Sequence, residues 1–236
     1  MSPAHIRKLP DHINYLCVEG VIGVGKTSLC NLIANEFNSR LILEAADENP
    51  FLSDFYKNRQ SAAFQTQLWF LLSRYRQLTE NFAQQDLFHR ATVSDYIFAK
   101  DNLFASINLD ENEMAIYNTI SGILEKNVPK PDFIIYLQAS TESLLRRIEK
   151  RGKSYEAGID RSYLETLNEA YNHFFFHYKD SPVLIVNTDD IDYVNNRSEF
   201  DEIIEQIYLT RWGSNYYRPL GSKDRAIIDE KREKSQ

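Results

Sequence analysis

The chain has 236 residues, of which 43% are apolar and 26% are charged, and its formal net charge is −7 at pH 7. This length and apolar fraction suit one compact domain with a buried core. The acidic balance argues against binding to a nucleic acid polymer, because such binding depends on basic residues that release counterions. No apolar stretch is long enough to cross a bilayer or serve as a signal segment, so we expect a cytoplasmic protein without membrane contact.

Short apolar segments alternate with amphipathic ones along the chain. The predicted strands are residues 15–19, 41–43, 92–94, 132–137 and 183–186. The predicted helices are residues 25–37, a short helix opened by Pro50, 62–82, 96–107, 111–126, 141–150 with Thr141 as its N-cap, 160–179 and 197–209. The alternation predicts an α/β fold, with a parallel sheet of about five strands and helices on both faces. We expect a domain over residues 13–210, a flexible tail over 1–12 and a disordered tail over 211–236.

The first predicted strand runs directly into a phosphate-binding motif. The motif G-x-x-x-x-G-K-[ST] is matched in full by Gly20, Val21, Ile22, Gly23, Val24, Gly25, Lys26 and Thr27, and Ser28 follows it in the predicted helix. Glycines let the backbone fold so that its N–H groups surround phosphates, and the helix directs its positive end at the same anion. Lys26 is expected to reach the β- and γ-phosphates, and the Thr27 hydroxyl to bind Mg²⁺.

The loop alone does not identify the reaction, because GTPases, motors and phosphotransferases share it. The guanine-reading motif N-K-x-D is absent from the sequence. A small chain with a late basic segment is more typical of a kinase that acts on a small molecule.

Acidic residues follow two other predicted strands at the edge where parallel sheets bind ligands. Glu44 is a candidate general base for an acceptor hydroxyl, and Asp95 is a candidate Mg²⁺ ligand. Arg147, Arg151 and Lys153 form a basic segment that could close as a short lid over the transferred phosphate. A surface acid and a solvated helix end are the plain alternatives for these residues.

Taken together, these blocks resemble the deoxynucleoside kinase family over about residues 14–210. The resemblance rests on the Gly-Lys-Thr loop, Glu44, Asn49-Pro50-Phe51-Leu52, Phe55-Tyr56, Phe64-Gln65-Thr66-Gln67, Ser73-Arg74, Ser94-Asp95, Arg151-Gly152-Lys153 and Tyr163-Leu164. It implies a P-loop kinase fold, Mg·ATP as phosphoryl donor, a deoxynucleoside as acceptor and a homodimer packed through the aromatic-rich helices.

The resemblance also implies roles for individual residues. Glu44 would be the base on the 5′-hydroxyl, Tyr56 would touch the sugar 3′-hydroxyl, and Phe104 would stack on the base. Recognition of the base would come from Gln67, Arg74 and Asp101, a trio that favours purines or cytosine over thymine. Arg147, Arg151 and Lys153 would cover the phosphates. Without the resemblance, core packing is the simpler interpretation of Tyr56 and Phe104.

The sequence departs from the family pattern at three positions. Tyr96 follows Asp95 where the family usually has an arginine, and Phe70 occupies a position that is small in the deoxycytidine enzyme. Ser162 stands where animal members carry a glutamate for the 3′-hydroxyl, and it is the candidate for that contact. Two alternatives therefore stay open: a thymidylate-type nucleoside monophosphate kinase, and a non-catalytic nucleotide-binding protein derived from a kinase.

Overall fold

The computed structural model describes residues 7–84, 86, 88–156 and 158–219. In these residues, six strands form one parallel sheet in the order β2-β3-β1-β4-β5-β6. The strands are β1 Tyr15–Gly20, β2 Arg40–Ile42, β3 Thr92–Ser94, β4 Phe133–Gln138, β5 Val183–Asn187 and β6 Ser214–Tyr217. The sheet has one strand more than the sequence predicted, and the predicted α/β fold with helices on both faces is confirmed.

The helices cover the sheet and connect successive strands. They are α1 Lys26–Phe37, α2 Leu52–Lys57, α3 Arg59–Ala83, α4 Lys100–Asn108, α5 Glu111–Leu124, α6 Thr141–Arg151, α7 Arg161–His177 and α8 Arg197–Leu209. Short 3₁₀ turns lie at Ala46–Glu48, Glu125–Asn127 and Ser154–Glu156. Over the part of the chain that the structure describes, no helix is both long and apolar enough to cross a membrane.

The sixth strand lies in a segment that we predicted to be disordered. β6 pairs with the open edge of β5, with Val183 opposite Ser214, and the Val183 N–H donates to the Gly213 carbonyl at 2.9 Å. Backbone pairing at a sheet edge can therefore order a polar segment whose side chains are mostly exposed. The rest of the predicted tail, residues 220–236, lies outside the described residues.

At the other terminus, residues 7–12 of the predicted flexible tail contact the domain. Arg7 Nη1 donates to Asp201 Oδ1 at 2.8 Å, and the Leu9 side chain is buried. Residues 1–6 lie outside the described residues.

The N-cap of α6 and the start of α4 differ from the prediction. Ser140, not Thr141, is the N-cap of α6, and its hydroxyl accepts a hydrogen bond from the Ser143 N–H at 3.3 Å. α4 begins at Lys100 rather than near residue 96. The segment between β3 and α4 is therefore non-helical, and its buried backbone needs other partners.

The sheet order brings three site segments together. β3 lies between β1 and β2, so the carboxyl ends of these strands are neighbours. The phosphate loop follows β1, Glu44 follows β2, and Asp95 follows β3. The sheet thus places the predicted donor and acceptor groups at one edge.

Candidate active site

The phosphate loop has the backbone that its glycines permit. Gly23 and Gly25 have φ angles of 85° and 109°, in the left-handed region that L side chains rarely adopt. A Cβ at Gly25 would also collide with the Tyr193 hydroxyl, which donates to the Gly25 carbonyl at 3.1 Å. Lys26 Nζ donates to the Gly20 carbonyl at 2.7 Å, so the loop and its lysine form one compact unit.

Asp95 joins the donor and acceptor sides of the site. Its Oδ2 accepts from the Thr27 hydroxyl at 2.6 Å, and its Oδ1 accepts from the Glu44 N–H at 2.7 Å. Thr27 and Asp95 were predicted as metal ligands, and their oxygens converge here. This pair suits Mg²⁺, which takes few protein ligands and completes its shell with phosphate oxygens and water.

Glu44 is surrounded by positive charge. Arg74 Nε donates to Glu44 Oε1 at 2.8 Å, and Lys100 Nζ lies 3.3 Å from Oε2. Burial favours the neutral acid, but the charges of Arg74, Lys100 and Lys26 outweigh it and hold the pKa of Glu44 well below its ordinary value. Glu44 is therefore an ionised carboxylate at neutral pH, which is the protonation state that a general base requires.

Arg74 also binds Asp101, so a buried guanidinium is shared by two carboxylates. Burial opposes its charge, but the Glu44 carboxylate raises the pKa of Arg74 above its ordinary value. The second oxygen of Asp101 is buried without a hydrogen-bond partner among the described residues. This oxygen is a free acceptor, and the buried Thr66 hydroxyl, which lines the cavity, also has no partner among the described residues.

Two functional residues were missed by the sequence reading. Lys100 is only 4% exposed and lines the cavity beside Glu44, although it lay inside a predicted helix. Burial and the charge of Lys100 lower the pKa of Lys26 from 10.5 to about 8. Glu19 lay inside a predicted apolar strand, yet it accepts from the Gly20 and Ile97 N–H groups at 2.9 and 3.0 Å.

One cavity connects the phosphate loop, Glu44 and two of the three predicted base-recognition residues, Gln67 and Arg74, while Asp101 lies behind the lining and is reached only through Arg74. Its lining includes Ile22, Gly23, Lys26, Thr27, Glu44, Tyr56, Gln67, Phe70, Arg74, Asp95, Lys100, Phe104, Arg151, Lys153, Tyr155 and Tyr163. The Gln67 side chain is buried at 3% exposure and lines this cavity. Arg74 lies over the Phe70 ring, with 4.7 Å from its guanidinium carbon to the ring centroid. The distal part of the cavity is thus aromatic with a few polar groups, as in sites that bind planar ligands.

The basic segment after α6 contacts the acceptor side of this cavity. Lys153 Nζ donates to the two Asp47 carboxylate oxygens at 2.7 and 2.9 Å, and to the Tyr155 hydroxyl at 2.9 Å. The Tyr155 ring stacks on Tyr56 with 6.1 Å between centroids. Arg151 Nε donates to Glu156 at 3.1 Å. Both lid cations that line the cavity are therefore paired with carboxylates.

Comparison with known proteins identifies the family of this site. The family model described as deoxynucleoside kinase matches residues 16–210, most of the chain. The chain belongs to the deoxynucleoside kinase family. It is therefore a phosphotransferase that acts on a deoxynucleoside, and neither the thymidylate-type nor the non-catalytic alternative is favoured.

Relatives and solved structures agree with this assignment. The chain is 35% identical over 200 residues to a deoxyguanosine kinase of Bacillus subtilis (82% of this chain, 95% of the relative). It is 31% identical over 200 residues to a deoxyadenosine/deoxycytidine kinase of the same organism (81% and 90%). A structure of deoxyadenosine kinase from M. mycoides with bound dATP matches with a TM-score of 0.71 at 25% identity (82% and 99%).

In this deoxynucleoside kinase, some predicted site residues do not line the cavity. Arg147 donates to the Val24 carbonyl at 3.1 Å and to the Thr188 hydroxyl at 3.0 Å, so it braces the phosphate loop. The Ser162 hydroxyl donates to Asp160 at 2.7 Å at the start of α7, while the adjacent Tyr163 lines the cavity. Ser28 is exposed on α1. Ser162 therefore does not line the cavity, whereas its neighbour Tyr163 does.

Tyr96, which stands in place of the family arginine, is a buried core residue. Its hydroxyl donates to Gln77 Oε1 at 2.8 Å, and its ring centroid lies 5.8 Å from the Arg74 guanidinium carbon. Burial raises the pKa of Tyr96 above its ordinary value, so it stays neutral and supplies no charge to the site.

Proposed function

We propose that this kinase transfers the γ-phosphoryl group of Mg·ATP to the 5′-hydroxyl of a purine deoxynucleoside or deoxycytidine, in cytoplasmic nucleotide salvage. The observation that carries the proposal is the position of Glu44, which is ionised and lies in one cavity with the phosphate loop and Gln67. Such a cavity holds the acceptor hydroxyl and the terminal phosphate next to each other, which supplies the proximity that phosphoryl transfer requires.

The proton and the phosphoryl group move between defined atoms. Glu44 accepts the proton of the 5′-hydroxyl, and the 5′-oxygen forms a bond to the γ-phosphorus. The bond between that phosphorus and the β,γ-bridging oxygen breaks, so ADP leaves with the electron pair. Lys26 is the expected ligand of the β- and γ-phosphates, and the helix α1 directs its amino end at them.

A metal ion would be held by the Thr27 hydroxyl and the Asp95 carboxylate, whose oxygens converge at 2.6 Å. Mg²⁺ bound there with the nucleotide would neutralise charge on the phosphate oxygens. Because Asp95 also accepts from the Glu44 N–H, the same residue fixes the backbone of the proposed base.

Base recognition is proposed to use the Gln67 amide, which lines the distal cavity, and the unpartnered oxygen of Asp101, which is ion-paired with the cavity-lining Arg74. The Gln67 amide can both donate and accept, and the free oxygen of Asp101 can only accept while it is ionised. Adenine, guanine and cytosine carry exocyclic amino groups, which thymine lacks. The names of the relatives, deoxyguanosine kinase and deoxyadenosine/deoxycytidine kinase, support this range of acceptors.

Around the sugar and phosphates, Tyr56 and Phe104 are proposed to contact the nucleoside, together with Tyr163. Lys153 is proposed to turn from Asp47 to the phosphates when the nucleotide binds, since an exposed ion pair is weak enough to exchange. Arg151 is proposed to contact the phosphates while it stays paired with the buried Glu156. A homodimer is supported by exposed aliphatic side chains on two packed helices, Leu72 on α3 and Ile116 and Ile123 on α5.

The test is a panel of deoxynucleosides and thymidine assayed for ADP release and for the 5′-monophosphate with Mg·ATP. We expect turnover with at least one amino-bearing base, and loss of at least 100-fold in Glu44→Gln. Glu48→Gln is the matched control, because Glu48 is an exposed acid in the adjacent 3₁₀ turn. The proposal would be contradicted if none of the nucleosides gave a product, or if Glu44→Gln kept full activity.

A further inference from the structure

Lys100 is buried at a place where a cation is unfavourable for the fold. It is 4% exposed and is the first residue of α4, where the helix dipole repels positive charge. Removing an ammonium group from water costs free energy unless strong partners replace the water. Its described partners are Glu44, at 3.3 and 3.5 Å, longer than the 2.7–2.9 Å typical of strong charge-assisted hydrogen bonds, and the Phe104 ring, whose centroid lies 5.8 Å from Nζ. Stability alone gives no reason for this lysine.

The other cations that line the cavity are bound more closely. Arg74 binds Glu44 and Asp101 with three nitrogen atoms. Arg151 binds Glu156, and Lys153 binds Asp47 and Tyr155. Lys100 thus keeps donors free next to Glu44, on the acceptor side of the same cavity that Lys26 lines from the phosphate loop.

The position of Lys100 relative to Glu44 fixes what it can touch. An acceptor hydroxyl that gives its proton to Glu44 must lie within hydrogen-bond reach of that carboxylate. Lys100 Nζ is 3.3 Å from one of the same carboxylate oxygens, so it lies beside the acceptor oxygen and the phosphoryl group transferred to it. During transfer, negative charge spreads over the equatorial phosphoryl oxygens, and a fixed ammonium there stabilises it.

We propose that Lys100 is a catalytic residue whose ammonium group contacts the transferring phosphoryl oxygens from the acceptor side, opposite Lys26. This inference rests on the proposed function, since it assumes Glu44 as the base. Lys100 on α4 then supplies the positive charge that the neutral Tyr96 lacks at the position after Asp95, where the family usually has an arginine.

The test compares Lys100→Met, Lys100→Arg and the control Lys130→Met in the full chain. Lys130 is an exposed lysine paired with Asp180. We expect kcat of Lys100→Met to fall by about 100–1,000-fold, with the deoxynucleoside KM changed by only a few-fold and with partial recovery in Lys100→Arg. Mg·ADP, aluminium fluoride and deoxynucleoside together mimic the transition state. Lys100→Met should weaken the binding of this analogue much more than it weakens the binding of the substrates.

Unchanged kcat in Lys100→Met overturns the inference. Equal losses of affinity for the substrates and for the analogue also overturn it, because a lysine that only orients Glu44 would not bind the analogue more strongly than the substrates. If Lys100→Met does not fold, Lys100→Cys assayed before and after aminoethylation gives the same comparison, since the reaction restores an ammonium of similar length. Position 100 lines the cavity, whereas Cys17 and Cys30 lie in the core at 0% exposure, and the unsubstituted protein treated with the same reagent is the control for their modification. Absence of turnover in the unmodified protein would instead contradict the proposed function, so the two failures are distinguishable.

Discussion

The two carboxylate oxygens of Asp95 accept hydrogen bonds from different sides of the site. Oδ2 accepts from the Thr27 hydroxyl at 2.6 Å, and Oδ1 accepts from the Glu44 N–H at 2.7 Å. One side chain therefore links the proposed metal ligand to the proposed base. We expect Asp95→Asn to raise the Mg²⁺ concentration needed for half-maximal activity by roughly 10–100-fold, because the amide is a poorer metal ligand. Titrating Mg²⁺ in steady-state assays measures this. Asp180→Asn, at an exposed acid, should behave as the unmodified chain, and an unchanged Mg²⁺ dependence in Asp95→Asn would refute the link.

Arg74 should contribute strongly to stability as well as to the site. In Arg74→Met, Asp101 is left buried at 1% exposure without a counter-charge, while Glu44 keeps Lys100. Breaking a buried ion pair in this way lowers the free energy of unfolding by about 3–5 kcal/mol. Urea denaturation followed by circular dichroism checks the value. Arg74→Met with Asp101→Leu should recover part of the loss, and a double variant less stable than the single one would contradict the explanation.

The ion pair between Lys153 and Asp47 competes with the proposed role of Lys153 at the phosphates. Asp47→Ala removes the carboxylate that holds Lys153 and Tyr155, so Lys153 is released for ATP. Since exposed pairs contribute at most about 1 kcal/mol, we expect the KM for ATP to fall by no more than about 5-fold. Asp54→Ala is the control, because Asp54 forms an exposed ion pair with Lys57, with 3.4 Å between Oδ1 and Nζ. A higher KM for ATP in Asp47→Ala would show that Asp47 assists the nucleotide site.

The hydroxyl groups of Ser162 and Tyr163 should differ in their effect on the substrate. Ser162 donates to Asp160 at the helix start, whereas Tyr163 lines the cavity and its hydroxyl accepts from Asn108 at 3.1 Å. We expect Ser162→Ala to leave the deoxynucleoside KM within about 2-fold and Tyr163→Phe to raise it by about 5–10-fold, the cost of one neutral hydrogen bond. A large effect of Ser162→Ala alone would restore the original assignment from sequence.

Assembly can be tested on the exposed face of α5. Ile116 and Ile123 are seven residues apart and 54% and 62% exposed, so they lie on one side of the helix. We expect Ile116→Asp to convert a two-chain species to a single chain in light scattering at micromolar concentration, because it places a charge in an apolar contact. Phe176→Asp, at a side chain on α7 that is 79% exposed, should leave the mass unchanged. A single-chain mass for the unmodified protein would refute the dimer.

The sequence was sufficient to predict those site residues that lie in a motif of fixed spacing or directly after a predicted strand. The phosphate loop has a fixed spacing, and Glu44 and Asp95 follow predicted strands, so a parallel sheet brings them together. Lys100 and Glu19 carried no such signal, because burial of a charge depends on partners distant in sequence, such as Glu44 and the Ile97 N–H. β6 was missed because its order comes from the β5 edge rather than from apolar side chains.

Which of two neighbouring residues lines the cavity also lay beyond the sequence. Motif alignment places Ser162 one residue from Tyr163, and a helix turns neighbouring side chains about 100° apart, so only the structure decides which faces the cavity. Arg147 illustrates the same limit, because its four-residue spacing from Arg151 does not reveal the Val24 and Thr188 carbonyls that hold it.

The buried Tyr96 makes it hard to introduce the family arginine at position 96 by a single mutation. Its hydroxyl is already paired with Gln77, and its ring lies beside Arg74, so an arginine at position 96 would place a further cation near Arg74 and Lys100. Positions 96 and 100 are then expected to be epistatic: Tyr96→Arg harms the protein alone and is tolerated with Lys100→Met. Thermal melting of the two single variants and the double variant would measure that dependence. In evolutionary terms, descendants of this lineage would retain the lysine-based site unless both positions changed together.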